Sequence, residues 1–103
     1  MYLSAESVKE ILFLRQNGKI KNPLWKVPQD IFASIAEAGI TVKYIQREHL
    51  LTFGSLALIK GHCDPSDRLI IAQAITEKMP LISSDGKFHL YRQYGLHLIY
   101  NPH

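Results

Sequence analysis

The sequence contains one cysteine, Cys63, in 103 residues. A single cysteine excludes an internal disulfide and a cysteine-rich zinc site, and it is typical of proteins from a reducing compartment. The longest apolar runs, such as residues 69–72, fall far short of the ~20 residues that a membrane span requires. Residues 1–9 also lack the basic and apolar segments of a secretory signal. We therefore expect a cytoplasmic protein without a membrane span.

The composition is that of a globular chain, with 47% hydrophobic and 20% charged residues. Single domains commonly run to about 100–150 residues, so residues 1–103 are predicted to form one domain. The net charge is +3. An excess this small is compatible with a nucleic-acid partner but does not indicate one by itself.

The first half of the sequence carries signals for the start and the end of a helix. Ser4 and Ser7 are both residue types that favour an N-cap, and Ser7 and Glu10 have the spacing of a capping box. Asn17-Gly18 is typical of a helix end. The elements predicted here are a strand end at residues 2–3, a helix ending near residue 16, a helix over residues 30–38 and a strand over residues 40–45.

The second half contains the clearest helix signal of the chain. Asp64 is a good N-cap residue, and Pro65 follows it at the position where proline favours the start of a helix. In the segment before Asp64, Gly54 weakens the pattern that predicts a helix over residues 47–59. The elements predicted here are helices over residues 47–59, 65–78 and 87–94, strands over residues 80–83 and 96–100, and a turn over residues 84–86.

Strands that alternate with helices favour an α/β fold with a parallel sheet covered on both faces. In such sheets, ligands bind beyond the carboxyl ends of the strands. Residues just after strands, and in the first turns of the helices that follow, are therefore the candidates for function.

Three acids occupy such positions: Glu10 early in the first helix, Asp67 in the first turn of the helix 65–78, and Asp85 after the strand 80–83. Carboxylates that are brought together repel one another, so a cluster is stable at neutral pH chiefly when a divalent cation lies between them. Mg²⁺ suits such oxygen ligands and can activate a bound water.

Each of the three acids also has a purely structural interpretation. Glu10 could close the capping box with Ser7, and Asp67 could complement the helix dipole. Asp85 with Gly86 could form an ordinary turn. Spacing in the sequence does not decide between these interpretations and a shared metal site.

Three segments carry a family resemblance: HCDPSDRLIIAQA at residues 62–74, PLISSDGKF at residues 80–88, and YGL at residues 94–96. Together they resemble the C-terminal half of a PIN-domain nuclease of the VapC toxin type. Residues 3–11, LSAESVKEI, resemble the segment in which that family places its second acid. The likeness covers nearly the whole chain.

The resemblance implies a PIN-like three-layer α/β/α fold with a five-stranded parallel sheet of order 3-2-1-4-5. It assigns Glu10, Asp67 and Asp85 as catalytic carboxylates that bind Mg²⁺ or Mn²⁺. It also implies a ribonuclease that acts as the toxin of a type II toxin-antitoxin pair, with RNA as substrate and a cognate antitoxin as protein partner.

The sequence departs from the family pattern at its start. Family chains open with a strand that ends in the first acid and forms the centre of the sheet, and this segment has no counterpart here. The resemblance therefore implies a PIN-like domain that is incomplete at its N-terminus, with impaired hydrolysis. An unpaired strand edge invites pairing with another chain, so we expect a homodimer or a strand-exchanged oligomer.

Three basic residues are candidates for binding RNA phosphates. Lys19 and Lys21 lie in a basic loop near Trp25, and Arg68 follows Asp67 directly. The alternatives are a solvated loop for the lysines and a salt bridge for Arg68. Two classes of function remain open: a metal-dependent ribonuclease toxin, and a non-catalytic PIN-like module that binds an antitoxin or self-associates.

Overall fold

The computed structural model describes residues 1–61, 64–83 and 86–101. The chain divides into two compact units, residues 1–44 and residues 45–103. Within these described ranges, nine elements follow one another. They are β1 (Tyr2–Ser4), α1 (Ala5–Gln16), α2 (Pro28–Glu37), β2 (Thr41–Lys43), α3 (Arg47–Ser55), α4 (Pro65–Glu77), β3 (Leu81–Ser83), a 3₁₀ helix (Gly86–Tyr94) and β4 (Leu98–Tyr100).

The first unit is a pair of parallel strands joined through two helices. Leu3 of β1 lies opposite Val42 of β2. The apolar sides of α1 and α2 pack together around Val8, Ile31 and Ile35, which are all buried. Because β1 runs directly into α1, the residues that follow this strand lie in the first turns of a helix.

The second unit packs α3, α4 and the 3₁₀ helix with a second parallel pair, in which Leu81 of β3 lies opposite Leu98 of β4. Its core is built around Ile71, Ala72 and Tyr91, whose side chains are fully buried. The predicted α/β class with parallel strands is confirmed. No helix of the described residues is long and apolar enough to cross a membrane, and the longest, α4, has 13 residues.

Three predicted helices differ from those observed. The helix predicted over residues 30–38 begins two residues earlier, because Pro28 occupies its first position, where proline is favoured. The helix predicted over residues 47–59 ends at Ser55, because Leu56 adopts an extended backbone after the weak helix former Gly54. The helix predicted over residues 87–94 is a 3₁₀ helix. By contrast, α4 lies within one residue of its prediction: Asp64 caps it, and Lys78 ends it in the left-handed conformation.

Candidate functional site

The backbone at Asp67, in the first turn of α4, is fixed by the cap of the helix. The Asp64 side chain caps the helix and accepts a hydrogen bond from the Asp67 backbone nitrogen at 3.1 Å. Pro65 occupies the first helical position, where its missing N–H costs nothing. Asp64 is exposed and Asp67 is half-buried. The two carboxylates therefore differ. Asp64 caps the helix by accepting a backbone hydrogen bond, whereas Asp67 lies within the first turn and is not the cap.

Glu10 lies on the second turn of α1, with its side chain exposed. The structural interpretation that paired it with Ser7 is wrong, because α1 begins three residues earlier than a Ser7 cap would require. Ser4 is the N-cap, and its side chain accepts a hydrogen bond from the Glu6 backbone nitrogen at 3.2 Å. Glu10 thus has no capping role in this helix.

Asp85, the third predicted carboxylate, lies outside the described residues. The strand that precedes it, β3, is described and ends at Ser83. Ser83 lies opposite Tyr100 in a parallel pair with β4. Asp85 therefore follows the carboxyl end of a parallel strand in the sequence, which is the position where ligands bind in such sheets.

The donor chemistry of the predicted site fits a hard divalent cation, since all three predicted ligands are carboxylates. Residues 1–61, 64–83 and 86–101 contain no group of three or more His, Cys, Asp or Glu side chains that could hold a metal ion. Asp85 is not among these residues.

Arg68 follows Asp67, and its side chain is only 6% exposed. Its Nη2 donates a hydrogen bond to the Leu56 carbonyl at 2.9 Å, and its guanidinium lies 4.9 Å from the centre of the Phe53 ring. The structure shows no ion pair for Arg68 among the residues that it describes, so the salt-bridge alternative finds no support in them. To bind a phosphate, the Arg68 guanidinium would have to leave these contacts.

The basic loop of the first unit is held at residues 25 and 26 by side-chain hydrogen bonds. Arg15 donates hydrogen bonds to the carbonyls of Trp25 and Lys26, at 3.0 and 2.6 Å. The Trp25 ring nitrogen donates to Ser34 Oγ at 2.9 Å, and the ring packs against the core of this unit. Trp25 is thus an anchor of the loop.

Two exposed lysines project from this held segment. Lys19 and Lys21 are both exposed, and the Lys19 backbone nitrogen donates a hydrogen bond to the Leu14 carbonyl at 2.9 Å. Their exposure makes them candidates for contact with an anionic chain, and the hydrogen bond to Leu14 ties the backbone at Lys19 to α1.

Two of the described polar residues, His49 and Gln73, are buried although the sequence analysis did not single them out. His49 is 1% exposed; its Nδ1 accepts a hydrogen bond from the Gln46 backbone nitrogen, and its Nε2 donates to Glu77 Oε1 at 2.7 Å. This arrangement places the ring hydrogen on Nε2 and joins the start of α3 to the end of α4. The sequence contains little sign that His49 is buried, because its partner Glu77 lies 28 residues away in the chain.

A comparison with protein-family models identifies the chain's relatives. The model of the PIN domain matches residues 1–93. The chain belongs to the PIN domain family, whose members are in general divalent-metal-dependent nucleases, and it has a nuclease-type fold. A search of curated proteins finds no match.

Proposed function

We propose that this protein is a divalent-metal-dependent ribonuclease and the toxin of a type II toxin-antitoxin pair, with Glu10, Asp67 and Asp85 as the carboxylates that bind Mg²⁺ or Mn²⁺. The observation that carries the proposal is the PIN domain match over residues 1–93. The likeness of residues 62–74 and 80–88 to the VapC type of toxin supports the finer assignment, including a cognate antitoxin as the protein partner.

The chain's own residues supply binding and orientation in this proposal. When bound, a divalent cation activates a water and stabilises the charge that develops on the phosphate. Asp64 fixes the first turn of α4 through its cap, so the backbone that carries Asp67 is set before the cation arrives. Lys19 and Lys21 bind RNA phosphates in this proposal. Arg68 is predicted to be a third residue that contacts the RNA.

The proposal is tested by incubating the purified chain with single-stranded RNA after EDTA treatment. Added Mn²⁺ is expected to start cleavage, and excess EDTA is expected to stop it. Glu10→Gln, which removes an exposed carboxylate with no capping role, serves as the first variant. RNA that stays intact at every Mn²⁺ concentration would contradict a ribonuclease formed by these residues.

Replacing Lys19 and Lys21 together by alanine is expected to weaken RNA binding and to flatten its salt dependence. Each phosphate contact on a single strand releases about 0.7 of a counterion, so the slope of log affinity against log salt should fall by about 1.4. Fluorescence anisotropy of a labelled oligonucleotide measures both quantities. Lys60→Ala removes an exposed lysine of the other unit and should leave the slope unchanged. Equal slopes in all three proteins would show that Lys19 and Lys21 do not contact RNA phosphates.

A second candidate function, a non-catalytic module that self-associates, is favoured by the surface of the second strand pair. Ile82 and Ile99 lie opposite each other in register, and they are 61% and 45% exposed. Each of these strands has one neighbour among the described residues. Parallel sheets are ordinarily covered on both faces, so this apolar surface suits a second copy of the chain.

Ile82→Asp is expected to shift the chain towards monomer, because a charge on this face would be buried in the contact between copies. Sedimentation velocity across a range of concentrations measures the shift. Thr41→Asp, at an exposed position in the strand pair of the first unit, is the matched control. A wild-type protein that sediments as a monomer at all concentrations would contradict a function in self-association.

A further inference from the structure

Arg68 is a charged side chain in a place where an apolar one would pack. The residues that follow on the same helix, Ile71 and Ala72, are fully buried core residues, and Arg68 is nearly as buried. Its Nε atom is buried and has no hydrogen-bond partner among the described residues. A buried charge without a paired carboxylate is costly to fold, so stability alone would favour an apolar residue of similar volume.

The contacts of Arg68 join two segments that are separate in the sequence. Leu56, whose carbonyl accepts from Nη2, is the residue at which α3 ends. Phe53, under the guanidinium, belongs to the last turn of α3. Arg68 itself lies in the opening turns of α4, one residue after Asp67. The side chain therefore fixes the start of α4 against the end of α3.

We infer that Arg68 is a positioning residue for the metal carboxylate Asp67. The Asp64 cap fixes the turn from its outer side, and the Arg68 contacts fix it from the core side. Together they hold the Asp67 backbone in one place, so that binding a divalent cation requires little rearrangement. This inference rests on the proposed function, since it assumes that Asp67 binds the cation.

The sign of the effect separates positioning from simple electrostatics. Arg68 carries a positive charge one residue after the proposed ligand Asp67, so charge repulsion alone predicts that its removal strengthens cation binding. Positioning predicts the opposite. Residues behind the metal ligands typically change metal affinity by about 10–100-fold when they are replaced. Arg68→Met is therefore expected to weaken Mn²⁺ binding by at least about tenfold.

Calorimetric titration of the purified chain with Mn²⁺ provides the test, with the paramagnetic resonance spectrum of bound Mn²⁺ as a second readout. Arg68→Lys keeps a charge and a donor that reaches towards the Leu56 carbonyl, and it is expected to restore most of the affinity. Arg92→Met is the matched control, because Arg92 also donates to a backbone carbonyl, that of Leu98 at 3.3 Å, from an exposed position. It should bind Mn²⁺ as the wild type does.

Several outcomes separate this inference from the proposed function. A wild-type chain that binds no Mn²⁺ contradicts the proposed function itself. A wild-type chain that binds Mn²⁺, together with a folded Arg68→Met that binds it equally well or more tightly, overturns the positioning role alone. Circular dichroism establishes whether Arg68→Met is folded. If it is not, Arg68→Gln, which keeps a donor without the charge, takes its place under the same criterion.

Discussion

Replacing Asp67 with asparagine is expected to weaken Mn²⁺ binding by at least about tenfold and to slow RNA cleavage by at least about 100-fold. The substitution removes one negative charge and leaves a side chain of nearly the same size. Calorimetry gives the affinity, and a single-stranded RNA substrate gives the rate. The large effect follows from the small number of carboxylates available, since Mg²⁺ and Mn²⁺ are held by few protein ligands.

The same helix turn provides a matched control in Asp64→Asn. Asparagine caps helices about as well as aspartate, so this variant also loses one charge but keeps the hydrogen bond that fixes the turn. It should retain Mn²⁺ affinity within about threefold, well below the losses of about 10–100-fold that are typical when residues supporting metal ligands are replaced. Equal losses in both variants would show that net charge, and not ligation by Asp67, governs cation binding.

Replacing Ile71 with alanine is expected to lower the free energy of unfolding by about 2–5 kcal/mol. The Ile71 side chain is fully buried in the core of the second unit, beside Ala72 and Tyr91. Removing its outer carbons leaves a cavity that the close-packed surroundings fill only in part. Urea denaturation followed by circular dichroism measures the change.

Leu58→Ala is the control for this stability effect. It removes as many carbon atoms as Ile71→Ala, but from a side chain that is 75% exposed. Surface substitutions of this kind usually change the free energy of unfolding by less than about 0.5 kcal/mol. A loss of similar size in both variants would contradict the assignment of Ile71 to the core.

Local signals predicted the elements whose ends depend on one or two residues. The start of α4 follows from the order Asp64-Pro65, in which cap and proline both act at the N-terminus. The end of α1 follows from Asn17 and the positive φ of Gly18. In both cases the determining residue lies within one turn of the helix end, so the sequence alone contains enough information.

Other features depend on contacts that no local pattern records. Ser4 and Ser7 were both acceptable caps, and the choice of Ser4 follows from where β1 ends. The burial of His49 depends on Glu77 at the far end of another helix. The burial of Arg68 depends on the Leu56 carbonyl, which is free to accept because α3 ends early. Periodicity gives the face of a helix but not its partner across the core.

The candidate site follows the same division. Glu10, Asp67 and Asp85 were predicted as ligands from their positions after predicted strands and from the resemblance of their segments to a nuclease family. The PIN domain match shows that family. The cap that fixes the first turn of α4, Asp64, was predicted from the sequence, whereas the contacts of Arg68 with α3 became evident only from the structure. Sequence motifs thus indicated the chemistry, and packing indicated how it is supported.

The most direct test of the central claim is a calorimetric titration of the wild type, Glu10→Gln and Asp85→Asn with Mn²⁺ under identical conditions. If carboxylates distant in the sequence bind one cation, the wild type should take up the ion and each variant should bind it at least about tenfold more weakly. Isotherms that coincide for all three proteins would contradict a shared metal site.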